Sequence, residues 1–401
     1  MPLPEIPRDL SAVSAGWLDR ILRSSGILAG ARIHDFEIEK LGEGEGFMGE
    51  TARLHLAYAG PGEVGLPSVV LKIPTSDRKL RAAGEALGIY EREAFFYQQL
   101  AGQMPVRVPR CYFAAMDARP FGSPEQDALS LERLEQFPRW GLAALVAAGP
   151  WLARISRRRY VLLLEDLAPA RLGNQVTETS EEDIRGAIAS LARIHAHAWE
   201  NPAVENVPWL HPIDSTTKMN EYLVARQRPH FEELFAAAIP EYGKPHLDWL
   251  EENLGAIQRR LAKPPCTLLH GDYRLDNLFF DDTGADSLAI VSDWQVPSWG
   301  RGVCDLAYFL SGTLEADLPV EAAFPHVDFY HEQIRKLRSI GYDRDECRRD
   351  YVRALYLVLS RVVSSFGEIE PSNDRAVTLF RLWVGRAFSR LRGVDPASVL
   401  Q

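Results

Sequence analysis

The chain has 401 residues, of which 46% are hydrophobic and 25% charged, so it can bury the cores of about two to three domains. Its net charge of −10 argues against a nucleic-acid or anionic-membrane partner, because both bind basic surfaces. The four cysteines lie far apart, no basic region leads into an apolar run near the first residue, and no apolar stretch is long enough to span a bilayer. We therefore expect reduced thiols, no signal peptide and a cytoplasmic location.

The first elements read as a helix followed by strands. Apolar residues at helical spacing predict a helix between residues 8 and 30. Residues 36–41 and 51–58 alternate between polar and apolar side chains and predict strands. Between these strands lie the glycines of a G-x-G-x-x-G pattern, Gly44, Gly46 and Gly49. A dinucleotide-binding fold would use the pattern to open a helix, whereas here a strand follows, so we expect a hairpin tip whose backbone N–H groups close over phosphates.

Lys72 lies inside the apolar strand segment Ser68–Pro74. An ammonium group in this environment lowers stability unless it is paired or reaches the surface. One interpretation is a strand-end lysine that extends into solvent. The other is a lysine that contacts ATP phosphates and pairs with a glutamate of a helix. A helix predicted over residues 90–100 supplies Glu91 and Glu93 as partners.

The middle of the chain contains a predicted insert and a predicted helix. Residues 117–158 begin with a turn and continue as a helical insert, which could be a substrate lid, a dimer contact or an inert surface elaboration. Thr179 and Glu182 form a capping box that predicts the start of a helix running to about Trp199. His195 on this helix is expected to pack or to lie at the surface rather than to bind a ligand.

A short polar segment between residues 267 and 280 carries the chemistry. The apolar runs at its two ends predict strands, so the polar residues lie on a loop between buried anchors. Asp272 is followed five residues later by Asn277, and Asp293 follows the next apolar run. A kinase uses this order: one carboxylate receives the proton of the acceptor hydroxyl, and the amide and second carboxylate hold magnesium on the phosphates. Polar turns between strands would explain one Asp–Asn pair but not the ordered set.

The segments His270-Gly271-Asp272, Asn277 and Asp293-Trp294-Gln295 resemble the signature of the aminoglycoside phosphotransferase, choline kinase and ecdysteroid kinase-like superfamily. In that superfamily glycine replaces the arginine of the protein-kinase His-Arg-Asp motif. The resemblance extends from about Gly42 to Phe309 and implies an α+β, protein-kinase-like, two-lobed fold. It implies a small antiparallel-sheet lobe over residues 1–167 and a larger, mainly helical lobe over 168–401.

The resemblance also implies roles for single residues. Glu93 matches the partner of the lysine best, with Glu91 left open, and the backbone near Glu165 and Leu167 is similar to a hinge that faces adenine. Asp305 would brace the catalytic loop through an arginine or backbone N–H groups, although it could also simply cap its helix. The expected site residues are Asp272, His270 and Arg274 for catalysis; Gly44, Gly46, Gly49, Lys72, Glu93, Glu165 and Leu167 for ATP; Asn277 and Asp293 for the metal; and Asp276 and Asp305 for support.

The expected function is therefore transfer of the γ-phosphoryl group of ATP, with Mg²⁺, to a hydroxyl of a small molecule. The alternatives are a pseudokinase that binds nucleotide as a regulatory module and an aminoglycoside-type antibiotic kinase. A protein kinase is less favoured because no Ala-Pro-Glu segment follows Asp293. If several of the aromatic residues after Pro169 line the acceptor site, they favour an aromatic or acyl acceptor over a sugar.

Overall fold

In a computed structural model, the described residues are 5–28, 30–41, 49–60, 65–119, 123, 130–155, 158–177, 179–281, 288–366 and 374–401. The chain divides into two compact units. The first comprises Met1–Gln103, Val108–Gly122 and Ala144–Ala168, and the second comprises Met104–Arg107, Ser123–Ala143 and Pro169–Gln401.

A five-stranded antiparallel sheet organises the first unit, in the order β1-β2-β3-β5-β4. Its strands are β1 (Ile33–Leu41), β2 (Gly49–Tyr58), β3 (Ser68–Pro74), β4 (Cys111–Met116) and β5 (Tyr160–Glu165). Side chains of period two, such as Ala52 and Leu54, are buried on one face and form a core with the first helix. Gly44 and Gly46 lie outside the described residues.

The helices of this unit include Ala15–Ser24, Arg78–Ala86 and Ile89–Gln99. The first begins at Ser14, whose side chain accepts a hydrogen bond from the backbone N–H of Trp17. The register of the sheet pairs Lys72 of β3 with Thr51 on one side and with Leu162 on the other. Lys72 is therefore held in a central strand rather than at a frayed edge.

The second unit is mainly helical. Its helices are Glu181–Ala198, Pro202–Glu205, Thr217–Leu234, Gly243–Leu261, Val303–Thr313, Phe324–Leu337, Arg344–Phe366 and Asp374–Ser389. Short strands pair in two small sheets, β10-β7 and β6-β8-β9. They are β6 (Arg171–Leu172), β7 (Thr267–Leu269), β8 (Leu278–Phe280), β9 (Ala289–Val291) and β10 (Ser298–Gly300). The two apolar runs that were predicted to anchor the polar loop are strands β7 and β8.

The predicted fold class is confirmed, because an antiparallel sheet in one unit accompanies a helical second unit. The predicted insert contains the helix Arg139–Ile155. The capping box at Thr179 is wrong by one residue: Ser180 precedes the helix, and its side chain accepts from the N–H of Asp183. Within the described ranges, no helix has the length and apolar character needed to cross a membrane.

Candidate active site

In the first unit, Lys72 forms an ion pair with Glu93. The distance from Lys72 Nζ to Glu93 Oε1 is 2.8 Å, and the two side chains are only 14% and 3% exposed. Glu93 comes from the helix Ile89–Gln99, which packs on the sheet. The pairing satisfies the condition under which a lysine is tolerated in an apolar strand. It also orients the ammonium as a lysine that binds phosphate requires.

Glu91, the other glutamate on this helix, has different partners. Its carboxylate contacts the guanidinium groups of Arg119 and Arg158. Burial works against ionisation of Glu91, but both arginines outweigh it and hold its pKa below the usual range. Glu91 is therefore committed to a structural pair, and Glu93 is the residue in contact with Lys72.

The remaining nucleotide residues expected in the first unit lie on β2, at the end of β5 and just after β5. Gly49 opens β2, where a Cβ atom would lie 3.3 Å from the carbonyl oxygen of Ile73 and 3.6 Å from Lys72 Cε. The backbone N–H of Glu165 donates to the carbonyl oxygen of Arg110, and the carboxylate of Glu165 accepts from the backbone N–H of Arg110. The backbone N–H and C=O of Leu167 make no hydrogen bond in the described part of the chain. These two groups have the donor and acceptor character that the edge of an adenine ring would use.

In the second unit, Asp305 holds the start of the loop that carries Asp272. Its Oδ2 accepts from the backbone N–H of His270 at 2.6 Å, and its Oδ1 accepts from that of Gly271 at 2.9 Å. Asp305 lies in the first turn of Val303–Thr313, so it braces the loop instead of capping its helix. His195 is buried against it, with Nε2 3.4 Å from Oδ2 and Nδ1 2.7 Å from the hydroxyl of Tyr330. The expected packing role of His195 therefore includes support of Asp305.

Gly271 occupies a position that only glycine fits. Its φ is +81°, in the left-handed region, and a Cβ there would collide with the carbonyl oxygen of Val296. His270, the preceding residue, is fully buried and its Nε2 lies 2.9 Å from the carbonyl oxygen of Ser292. Since a carbonyl only accepts, Nε2 carries the proton, and Nδ1 accepts the N–H of Asp272 at 3.2 Å. His270 thus ties the segment of Asp272 to the segment before Asp293.

Asp272 carries an ionised carboxylate held by several donors. Its Oδ2 accepts from Asn277 Nδ2 at 2.9 Å and from Arg274 Nε at 3.3 Å. Burial acts against ionisation, but the charge of Arg274 and a hydrogen bond with the Tyr308 hydroxyl outweigh it and lower the pKa of Asp272. A carboxylate of low pKa accepts a hydrogen bond from a hydroxyl at neutral pH and fixes its direction.

Asn277 and Asp293, the two residues expected to hold the metal, lie beside the adjoining ends of two paired strands. Leu278 pairs with Val291 across β8 and β9, which brings the two ends of the strands together, and Ser292 donates its backbone N–H to the carbonyl of Asn277. Both hydrogen bonds of Asn277 Nδ2 go to Asp272, so the amide is oriented, and its Oδ1 has no partner among the described residues. Asp293 has a φ of +64°, a conformation that few non-glycine residues adopt and that is common at functional sites.

No group of three or more His, Cys, Asp or Glu side chains suited to a metal occurs in the described ranges. Mg²⁺ commonly takes only one or two protein carboxylates and completes its shell with water and phosphate oxygens. An amide oxygen and a carboxylate therefore fit this ion when a nucleotide supplies the rest.

Arg274 links Asp272 to the residues behind the loop. Its Nη1 lies 3.1 Å from Asp276 Oδ2. Asp276 Oδ1 in turn accepts the backbone N–H of Gln175 at 3.2 Å. Asp276 is thus held on both oxygens, and it fixes the arginine that contacts Asp272.

The helix Asp374–Ser389 is also linked to Asp272, through contacts of Trp383. Trp383 donates its indole N–H to Gln175 Oε1 at 3.1 Å, and its ring lies 4.9 Å from the ring of Tyr308. The hydroxyl of Tyr308 bonds to Asp272. Six residues therefore form a closed ring of contacts, which we call the Asp272 ring: Asp272, Arg274, Asp276, Gln175, Trp383 and Tyr308.

Three members of the Asp272 ring were not assigned from the sequence as site residues. Tyr308 lies three residues after Asp305, so helical spacing from that acid could have indicated it. Gln175 and Trp383 are 208 residues apart, and no local pattern relates them. Most of the aromatic residues that favoured an apolar acceptor are core residues; the buried ones are Trp199, Trp209, Trp299 and Trp383.

Comparisons with known proteins find partial sequence matches and a similar fold. Acyl-CoA dehydrogenase family member 10 of Mus musculus is 33% identical over 121 residues, which is 29% of this chain and 10% of that protein. The probable acyl-CoA dehydrogenase IBR3 of Arabidopsis thaliana is 37% identical over 62 residues, which is 16% of this chain and 7% of that protein. The match therefore spans about a tenth of the length of these relatives or less.

A solved choline kinase from Cryptosporidium parvum Iowa II has a similar fold, with a TM-score of 0.54, 11% identity, and coverage of 95% of this chain and 99% of that one. A sequence profile of the ecdysteroid kinase-like family matches residues 123–342, more than half of the chain, and the chain therefore belongs to the ecdysteroid kinase-like family.

Proposed function

We propose that this chain is an ATP- and Mg²⁺-dependent kinase that phosphorylates a hydroxyl group of a small molecule. The observation that carries the proposal is the arrangement at Asp272. The Nδ2 of Asn277 donates to Asp272 and orients the carboxylate that would act as the base, while its Oδ1 has no partner among the described residues. The same side chain could therefore position the base and bind the metal. The ion pair of Lys72 with Glu93 supplies the ordered ammonium that phosphates require.

In the proposed reaction the acceptor hydroxyl donates a hydrogen bond to Asp272. The hydroxyl oxygen forms a bond to the γ-phosphorus while the bond from that phosphorus to the bridging oxygen of ADP breaks, and the proton passes to Asp272. Bound Mg²⁺ supplies neutralisation of the phosphate charge. Because its pKa is low, Asp272 contributes mainly by aligning the hydroxyl and accepts the proton late.

The test is Asp272→Asn, assayed for phosphorylated product with a panel of small alcohols. We expect turnover to fall by about two to four orders of magnitude, the range of a general base, with ATP binding retained. Asp317→Asn is the matched control, because it removes an exposed carboxylate of the same unit. Turnover by Asp272→Asn within about threefold of the parent would contradict the assignment.

The same panel separates the alternatives. ATP binding without turnover of any acceptor identifies a nucleotide-binding regulatory module. Efficient phosphorylation of kanamycin-type compounds alone identifies an antibiotic kinase, and phosphorylation of casein identifies a protein kinase.

We also propose a cytoplasmic location. It is supported by the four cysteines, Cys111, Cys266, Cys304 and Cys347, all of which are free. Burial raises the pKa of each of these thiols, so they are poor nucleophiles suited to packing. Fractionation of cells that express the tagged protein tests this location.

A further inference from the structure

Arg361 lies beside the loop that carries Asp272. It is an exposed residue of the helix Arg344–Phe366, and its Nη1 donates to the carbonyl oxygen of Gly271. Its guanidinium carbon also lies 5.0 Å from the centre of the Tyr308 ring. These two contacts fix the guanidinium next to the carboxylate that is proposed to receive the acceptor's proton.

The other two guanidinium nitrogens of Arg361 have no hydrogen-bond acceptor in the described part of the chain. Arg353, on the same helix, pairs with Asp350 at 2.8 Å, and Arg274 pairs with Asp272 and Asp276. Arg361 has no ion pair in the described part of the chain, and neither its Nε nor its Nη2 donates to a described acceptor. These two nitrogens form one edge of the guanidinium with parallel N–H groups. That edge is the one that binds a planar carboxylate through two hydrogen bonds.

The charges near Asp272 also select among acceptors. Arg274 and Arg361 both act on the Asp272 carboxylate, but the charge of Arg274 is balanced by its ion pairs with Asp272 and Asp276. Arg361 has no ion pair in the described part of the chain, so its guanidinium would repel a cationic acceptor group and would attract an anionic one to its unused edge.

We infer that Arg361 anchors the acceptor, and that the acceptor carries a carboxylate in addition to the hydroxyl that is phosphorylated. The inference rests on the proposed kinase function and specifies its substrate class. The carboxylate takes no part in bond making. It holds one end of the hydroxy acid on Arg361 so that the other end presents its hydroxyl to Asp272.

The test uses acceptors that share a hydroxyl group and differ in one other group, which is anionic, neutral or cationic: hydroxymethylbenzoate, its methyl ester and hydroxymethylbenzylamine, with hydroxyhexanoate and its methyl ester as an aliphatic pair. Dissociation constants are measured by calorimetry in the presence of Mg²⁺ and a non-hydrolysable ATP analogue, and kcat/KM is measured with ATP. We expect each acid to bind about tenfold to a hundredfold more tightly than its ester, the range for a charged hydrogen-bonded pair. The amine should bind most weakly.

Arg361→Gln should reduce the affinity for the acid to that for the ester, with the ester and the KM for ATP unchanged. Arg361→Lys keeps the charge but loses the two-donor edge, so it should restore only part of the preference. The control is Arg349→Gln, which removes the same charge from an exposed position on the same helix. The ester is an internal reference, because a disturbed Gly271 loop would impair acid and ester alike.

The inference is overturned if the acid and the ester bind equally, including the case in which neither binds, or if Arg361→Gln weakens both to the same extent. A preference for acids in binding that depends on Arg361, without turnover of any acceptor, supports the anchor and contradicts the proposed kinase function. Turnover of esters or amines as efficient as that of acids supports the kinase function and contradicts the anchor.

Discussion

Glu91 and Glu93 are separated by one residue, yet they pair with different residues of the first unit. Glu93 contacts Lys72, and Glu91 contacts Arg119 and Arg158. We expect Glu93→Gln to raise the KM for ATP by about tenfold to a hundredfold, because Lys72 loses the charge that orders it. Glu91→Gln should lower the thermal stability by breaking a buried pair, at about 3–5 kcal/mol, without changing the KM for ATP. Steady-state kinetics and thermal unfolding of both variants distinguish these roles, and an equal effect on the KM would contradict them.

Tyr308 provides a second prediction at the residue scale, in the pH dependence of turnover. Although burial acts in the opposite direction, its hydrogen bond contributes to the lowered pKa of Asp272 by favouring the ionised form. Removing that bond in Tyr308→Phe raises this pKa, so the carboxylate is protonated at a higher pH. The acid limb of the kcat/KM profile should therefore move to higher pH. A profile measured from about pH 3 to 8 that shows no shift would remove Tyr308 from this role.

At the scale of elements, the helix Asp374–Ser389 contacts Gln175 and Tyr308, which connect it to the Asp272 carboxylate. Trp383 is its point of contact with the Asp272 ring, through the indole N–H and the face of the ring. Trp383→Phe keeps the ring contact but leaves Gln175 Oε1 without its donor, so we expect kcat to fall several-fold, with the KM for ATP unchanged. Trp383→Leu removes both contacts and should lower kcat further.

The control for the Trp383 variants is Trp199→Phe. Trp199 is also buried in the second unit, but its ring packs on Tyr342, 5.8 Å away, rather than on the Asp272 ring. This variant should lose stability and keep its kcat at temperatures well below unfolding. If Trp199→Phe lowers kcat as much as Trp383→Phe does, the effect of Trp383 is one of general stability.

The elements that could be predicted from the sequence are those with local patterns. The strands β7 and β8, the order of Asp272, Asn277 and Asp293, and the first helix all follow from periodicity or spacing. The start of the helix at Ser180 was missed because Thr179 and Ser180 are both good caps, and backbone geometry decides between them. Arg361 and Trp383 were missed as site residues because only tertiary packing brings Arg361 to Gly271 and Trp383 to Gln175 and Tyr308.

At the scale of the whole molecule, nucleotide binding should increase the stability of the folded protein. Saturating ATP with Mg²⁺ at about a hundredfold over its dissociation constant adds about 2.7 kcal/mol to the free energy of unfolding and raises the melting temperature. Asp293→Ala should remove the share of this increase that depends on magnesium, because it deletes a carboxylate of the proposed metal site. Thermal unfolding with ATP alone and with ATP and Mg²⁺ measures the difference. An equal shift with and without Mg²⁺ in the parent protein would argue against a metal role for Asp293.

The backbone at Gly271 also limits how the activity can be controlled. Protein kinases carry an arginine at this place in the motif, and arginines pair with phosphorylated activation loops when those kinases are switched on. Here the left-handed φ and the carbonyl of Val296 exclude any side chain at this position. The loop is instead held by Asp305, which needs no added phosphate. Switching by phosphorylation through an arginine at this position is therefore closed to the chain.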